Sequence, residues 1–440
     1  MIPNLIFIFI LLFAAGLFYF KVRTIAREIK LGRPLKINDN KLRRWKLMTK
    51  VAIGQSKMVT RPIAAIMHIF VYVGFIMVNI EMLEILVDGI SGTHRFFSFT
   101  GGLYPVLISS FEIFGVAVII GCVVFLSRRN IIRIRRFWSS EMKLWPRSDA
   151  NIILVTELFL MSAILVMNAS DGILQMRQYS HYTPVGSFLL SGFLQPLFSG
   201  FSNGTLVFME RFCWWFHIVG VFAFLNYIPY SKHFHVFLSF PNVYYSRLDP
   251  PGKMAHMSSI TKEVKMMLSG DIENNVAGGD EDLGQFGSRD CRDFTWKILM
   301  EAYTCTECGR CTSSCPANLT GKKLSPRKVV MDMRDRLENI GKNVRKHGIE
   351  FTDDKSLLDI VTAEELWACT TCNACTIECP VNINPAAMII EMRRYLVMEK
   401  AAAPAELNAI FSNIENNGAP WQYSKEDRLL WSKDMEINVI

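Results

Sequence analysis

The chain has 440 residues, half of them apolar and 20% charged, with a formal net charge of +8. That composition excludes disorder, collagen and a disulfide scaffold. Eight of the 11 cysteines fall between Cys305 and Cys379, a clustering that points to metal ligation in a reducing compartment.

The mean hydropathy of +0.22 averages two unlike halves. A bilayer core of about 30 Å needs roughly 20 apolar residues in a helix. Residues 3–20 carry no charge and stop at Lys21, with no basic segment or small-residue cleavage site before it, which argues for a span over a cleaved signal. Residues 63–87, 103–126, 150–168 and 205–230 are the other predicted spans, five in all. Residues 21–61 hold 13 basic and two acidic residues, and 128–149 hold seven and two. The connections 89–102 and 169–204 hold one basic residue each, Arg95 and Arg177. The positive-inside rule then places the N-terminus outside, both basic loops inside and the rest of the chain inside. Aromatic residues do not alternate with the basic ones, so a nucleic-acid surface is not expected. The first basic loop is expected to hold an interfacial amphipathic helix around 41–57, and 169–204 an outside loop against the membrane.

Ionisable groups inside a bilayer are costly, so their default reading is functional. His68 lies near the inside end of the second span, His217 near the middle of the fifth, and His235 just past its inside end. On a continuous helix, 18 residues return to one face and cover about 27 Å. His217 and His235 would then face one way at two depths, which suits axial ligation of two stacked b haems. His233 would be rotated by about 160° and is the poorer ligand. His68 can meet His235 but not easily His217, for which His94 is a weak substitute. The alternative is that each histidine is a hydrogen-bonding packing residue. Glu81, Glu84, Glu112, Glu157 and the pair Glu210–Arg211 lie in or near spans, as proton relays or as interhelical hydrogen-bonding groups.

The H-x17-H pattern ends in Pro229-Tyr230-Ser231-Lys232-His233-Phe234-His235. With five spans and the N-terminus outside, residues 1–240 resemble the gamma subunit of respiratory nitrate reductase and the membrane subunits of the heterodisulfide reductase group. The resemblance implies a dihaem quinol-reactive cytochrome b. The nitrate reductase pattern has a second histidine ten residues after the first in span two, where this chain has Val78.

Residues 241–290 read as a linker, with Pro250-Pro251, Gly278-Gly279 and the acidic run Asp280-Glu281-Asp282. No G-x-G-x-x-G and no Walker loop occurs, so nothing supports a nucleotide bound by those motifs. Two runs of the form C-x2-C-x2-C-x3-C-P follow, Cys305, Cys308, Cys311, Cys315 and Cys369, Cys372, Cys375, Cys379. In this arrangement three cysteines of a run hold one [4Fe–4S] cubane and the fourth holds the other. Cys305, Cys308, Cys311 and Cys379 are the expected ligands of the first cluster; Cys369, Cys372, Cys375 and Cys315 those of the second. Zinc fits poorly, because zinc sites separate ligand pairs by a long spacer. Cys122 and Cys213 read as packing residues, and Cys291 has no assigned role. Helical spacing over 325–340 and 385–400, with no strand-like alternation between the runs, predicts an α-helical ferredoxin domain over 291–400.

Residues 291–440 resemble the iron–sulfur subunits of the heterodisulfide reductase and succinate/fumarate reductase group. The tail, 401–440, with Glu415–Trp421, Arg428 and Trp431, resembles the segment after the ferredoxin domain in heterodisulfide reductase-type proteins. There a cysteine-rich CCG module can follow; here it, or another substrate-site subunit, is expected on a separate chain that docks on this tail. The whole reads as an all-α protein: a five-helix transmembrane bundle, then a cytoplasmic dicluster domain. As implied by the resemblance, it is an oxidoreductase subunit in the bacterial plasma membrane, passing electrons between quinone and a soluble cytoplasmic redox partner. The alternatives are a membrane iron–sulfur assembly factor and a redox sensor without quinone chemistry.

Overall fold

A computed structural model describes residues 2–433 apart from 187, 258, 259, 262, 263, 266, 267 and 269–284. The Gly278-Gly279 pair and the acidic run at 280–282 lie outside the described residues, as does the side chain of Arg428. Among the described residues the regular structure is helical, with one isolated bridge between Arg33 and Thr295.

Five helices are long and apolar enough to cross a membrane. They are built on α1 (Ile2–Ile29), α3 (Pro62–Ser91), α4 (Tyr104–Leu126), α5 (Trp145–Met176) and α6 (Asn203–Tyr227). The short α2 (Lys41–Met48) lies between the first two. Proline in the first turn opens α3, α4 and α5, where its missing N–H has no helical partner to lose. α5 packs on α4 and α6, α4 on α3, and α1 on α3 and α6. A Cβ at Gly220 would strike Leu160, and one at Gly74 would strike Val118, so these glycines allow the close helix approach typical of packing in lipid. α5 runs to Met176, eight residues beyond the expected end of the span. The polar extension is stabilised by tertiary contacts that local hydropathy does not contain: Asn168, Ser170 and Asp171 are fully buried.

The helix carrying His217 is not continuous with His235. α6 ends at Tyr227, a short turn spans Ile228–Tyr230, and Ser231 is extended (φ −121°, ψ 156°). Pro229 interrupts the hydrogen-bond ladder, and the Ser231 hydroxyl then accepts from His233 N. α7 (His235–Tyr244) starts afresh in a new direction. The same-face argument for His217 and His235, which needs one helix of 18 residues, is therefore corrected.

In the second half, α8 (Trp296–Thr304), α9 (Pro326–His347) and α10 (Pro385–Arg394) surround the cysteine loops, and α11 (Ala405–Asn417) follows. Val329, Val330, Met333, Leu337, Ile340, Met388, Ile389 and Met392 form their common core. That core is continuous with the bundle through Ile25, Ile153, Phe224 and Ile228. The cysteine half thus sits against one end of the bundle, at the C-termini of α1 and α6 and the N-terminus of α5. The expected helix near 41–57 is α2 plus one wider turn to Ile53. It packs on α7, with Arg44 donating to the carbonyls of Tyr244 and Ser246, both at 2.8 Å.

Candidate metal centres

The two cysteine loops have one backbone. In the first, Glu307 (φ 51°) and Gly309 (φ 69°) are left-handed; in the second, Thr371 (φ 53°) and Asn373 (φ 60°) are. Glu307 N–H donates to Cys305 Sγ and Thr371 N–H to Cys369 Sγ, each at 3.4 Å. Glycine and asparagine are the residues that take this conformation at low cost. At Gly309 there is also a steric reason, since a Cβ would meet the guanidinium of Arg327. Gly309→Ala should weaken the first loop by about 1–2 kcal/mol through strain alone. The check is iron content after purification, where the cluster expected on Cys369, Cys372, Cys375 and Cys315 serves as the internal control.

Cys305, Cys308, Cys311 and Cys379 line one small cavity. Cys315 lies close enough to Cys369 and Cys375 for their charges to interact. The fourth cysteine of each run is therefore beside the first members of the other. Among the described residues no three His, Cys, Asp or Glu side chains converge tightly enough to hold a single metal ion. Four thiols around one cavity, three of them from a single C-x2-C-x2-C run, fit a cubane better than zinc. Burial, with neighbouring Glu307, pushes the Cys305 thiol up to about 11; burial, with neighbouring Cys308, pushes Cys379 up to about 12. Such groups ligate only once a cation offsets their charge, and release protons when they do.

The inside histidines converge. The rings of His233 and His235 lie 5.5 Å apart, and both interact electrostatically with His68. His235 Nδ1 lies 2.9 Å from the carbonyl of Lys232, and His217 Nδ1 lies 3.0 Å from that of Leu160. Nδ1–H on a carbonyl leaves Nε2 with its lone pair free, the usual arrangement of a metal-bound histidine. Burial lowers the pKa of His235, keeping that imidazole neutral. His68 Nδ1 and His217 Nε2 are buried without hydrogen-bond partners. His68, His235 and the less expected His233 form one group that fits a haem on the cluster side. His217 is not brought to a second histidine: Val78 packs against Val118 and Leu160, and His94 pairs with Asp171.

Contacts between distant segments were invisible in the spacing. Lys232, next to His233, bonds Glu307 in the first cysteine loop at 2.5 Å. Lys57 donates to the carbonyls of Cys379 and Thr376, and Arg310 to the carbonyl of Lys57 at 2.8 Å. The only sequence signal for these would have been a charged residue between two cysteines, which is too common to single out. Cys291 is fully buried, with its thiol 3.5 Å from the carbonyl of Met333.

A helical chain with five apolar helices and two cysteine loops of this kind fits an iron–sulfur electron carrier. Residues 304–383 match the 4Fe-4S dicluster domain. The chain is similar to the probable iron-sulfur-binding oxidoreductase FadF of Bacillus subtilis, at 26% identity over 99% of this chain and 62% of that protein. It is 26% identical to the EtfAB:quinone oxidoreductase of Syntrophomonas wolfei, over 86% of this chain and 52% of that one. One subunit of the dihydromethanophenazine:CoB–CoM heterodisulfide reductase of Methanosarcina acetivorans is 28% identical, over 33% of this chain and 36% of the subunit. The chain thus spans little more than half the length of the first two relatives. The relatives are oxidoreductases or subunits of them, and the likeness supports an iron–sulfur oxidoreductase. No solved structure matches.

Proposed function

We infer that the chain carries electrons between membrane quinone and a soluble redox partner, through haem b and two [4Fe–4S] clusters, on the cytoplasmic side of a bacterial plasma membrane. One observation carries this reading: the turn that bears His233 and His235 touches the first cysteine loop through Lys232 and Glu307. A haem held by His68 and His235 would therefore adjoin the cluster of Cys305, Cys308, Cys311 and Cys379. The second cluster, of Cys369, Cys372, Cys375 and Cys315, reaches the surface at the exposed Cys372, where a soluble partner can accept or supply electrons. The name of the Syntrophomonas relative sets EtfAB against quinone, which supports a quinone at one end and a soluble protein at the other.

A bound haem would supply reversible one-electron chemistry, and His68 and His235 would hold it. The carbonyl of Lys232 orients the ring of His235. His217 fits a second haem only with a ligand other than histidine at its level of the bundle. Replacing His235 by Ala should remove one b-type haem per chain while leaving iron–sulfur absorption intact. Unchanged haem content in the purified variant, or a wild-type protein without a b-type band, would refute the reading.

A further inference from the structure

Arg136 lies on the short turn Arg135–Phe137, in the basic loop between α4 and α5. Its side chain starts directly over the first cysteine loop: a Cβ at Gly309 would come within 3.4 Å of the Arg136 Cβ. The Arg136 carbonyl is engaged, accepting from Arg327 at 2.7 Å. The guanidinium is not. Its Nε is buried without a hydrogen-bond partner, and it forms no ion pair among the described residues. Of the groups that act on it, Arg61, Arg310 and Arg128 are cations that repel it, and the Cys308 thiol attracts it.

Arg310, inside the first loop, stands in a similar place. Its guanidinium donates to the Lys57 carbonyl at 2.8 Å and lies 3.3 Å from Met58 Sδ. It too forms no ion pair among the described residues, and the groups that attract it are Cys308, Glu378 and Cys379. Glu378 is already paired with Arg61, at 3.5 Å. A guanidinium keeps its charge in a protein. Gathering such cations in a partly buried place is costly unless an anion sits among them. The group that the thiols of Cys305, Cys308, Cys311 and Cys379 would hold there is an anion, and it gains one more negative charge each time it is reduced. Fixed positive charge beside it therefore favours the reduced form.

The second loop is surrounded differently. The groups that act on Cys369 and Cys375 all come from the cysteine half. The cation among them is Arg393, which donates to the carbonyls of Leu366 and Cys369.

We propose that Arg136 and Arg310 are positioning residues for electron transfer, two unpaired guanidiniums that raise the reduction potential of the cluster on Cys305, Cys308, Cys311 and Cys379. They favour an electron on the cluster at the junction with the bundle. The proposal rests on that ligand assignment and adds the residues that set the potential. Because Arg136 belongs to the bundle's loop, docking of the two halves supplies part of the charge.

The test uses the full chain in detergent, with each cluster followed by low-temperature EPR through a stepwise reductive titration with mediators. The signal lost in Cys379→Ser marks the first cluster. In Arg136→Gln that cluster is expected to move to lower potential by about 59 mV, a tenfold change in the ratio of reduced to oxidised cluster. The second cluster should not move, and iron content should stay normal. Arg136→Lys keeps the charge and should recover most of the shift, which a role in shape alone would not do. Arg310→Gln should shift the same signal in the same direction, and it decides the matter if Arg136→Gln does not fold. An unchanged first-cluster potential in a variant of normal iron content overturns the proposal. So does an equal shift of both clusters, or an Arg136→Lys protein that titrates like Arg136→Gln. A Cys379→Ser protein that loses both signals or neither gives a different result: it refutes the ligand assignment, and the proposal falls with it.

Discussion

Cys379→Ser is expected to remove the cluster whose other three ligands lie in the other run. Iron should fall from about eight to about four atoms per chain, and adding Cys305→Ser should cost no further iron, since both thiols line one cavity. Combining Cys379→Ser with Cys369→Ser should instead abolish both clusters, although those two cysteines share a run. Cys315→Ser should behave as a member of the second group, beside Cys369 and Cys375. Iron-to-protein ratios with low-temperature EPR of the reduced proteins distinguish the cases. If Cys379→Ser and Cys369→Ser prove redundant, the ligands are not exchanged between runs. Cluster binding and folding are coupled, so each variant should also be less stable than the wild type, and the double variant least.

Arg327→Ala is expected to detach the second basic loop from the cysteine domain. Arg327 is fully buried at 0% exposure. Its guanidinium pairs with Glu141 at 2.7 Å, donates to the Ser139 hydroxyl and to the Arg136 carbonyl, and reaches the Glu307 carbonyl in the first cysteine loop. Removing one partner of a buried pair leaves the other uncompensated, at about 3–5 kcal/mol. Limited proteolysis in 132–144 and the thermal midpoint of cluster loss should both report it. Arg327→Lys should recover only part, because an ammonium cannot span an acid and two carbonyls as the planar fork does.

The same pair sets an acid limit. Burial by itself would raise the Glu141 carboxyl, but Arg327 outweighs it and holds the group below the usual carboxylate range. A carboxyl depressed in the folded state contributes stability that is fully present above its unfolded value of about 4.3, and loses it as pH falls through the lower folded value. The wild-type loop should therefore stay docked through mildly acidic pH. In Arg327→Ala burial is opposed only by hydrogen bonds such as that from Ser325, so protonation of Glu141 and the onset of acid sensitivity should move to higher pH. Proteolysis profiles against pH that superimpose for the two proteins would count against this role of the pair.

Much of this protein is legible along the chain. The five apolar helices follow from run length, because the bilayer thickness demands a fixed number of residues and each run meets it alone. The two cysteine loops are legible for a similar reason: each is a tight local run, and the repeated glycine or asparagine at one position of each loop reflects a left-handed backbone. What spacing alone could not show was where a helix stops. The 18-residue interval between His217 and His235 keeps its periodicity in the sequence, yet Pro229 and extended Ser231 break it, and His233 joins the group that periodicity set aside.

The sequence by itself determined the five apolar helices, the two cysteine loops and the gathering of positive charge in two connections, all of them properties of short segments. Only the tertiary structure decided what those charges touch. Lys57, Arg61 and Arg136 were read as topology signals, but Lys57 holds the carbonyls beside Cys379, Arg61 pairs with Glu378, and the Arg136 carbonyl anchors Arg327. Likewise, five acidic positions in or near the spans looked alike, and it took donors supplied by other segments to satisfy Glu84, Glu112 and Glu210 while leaving Glu81 bare. The physical reason is common to both: a charge's position along the chain follows from local sequence, whereas its partner is set by segments far away in the chain and brought together only by folding.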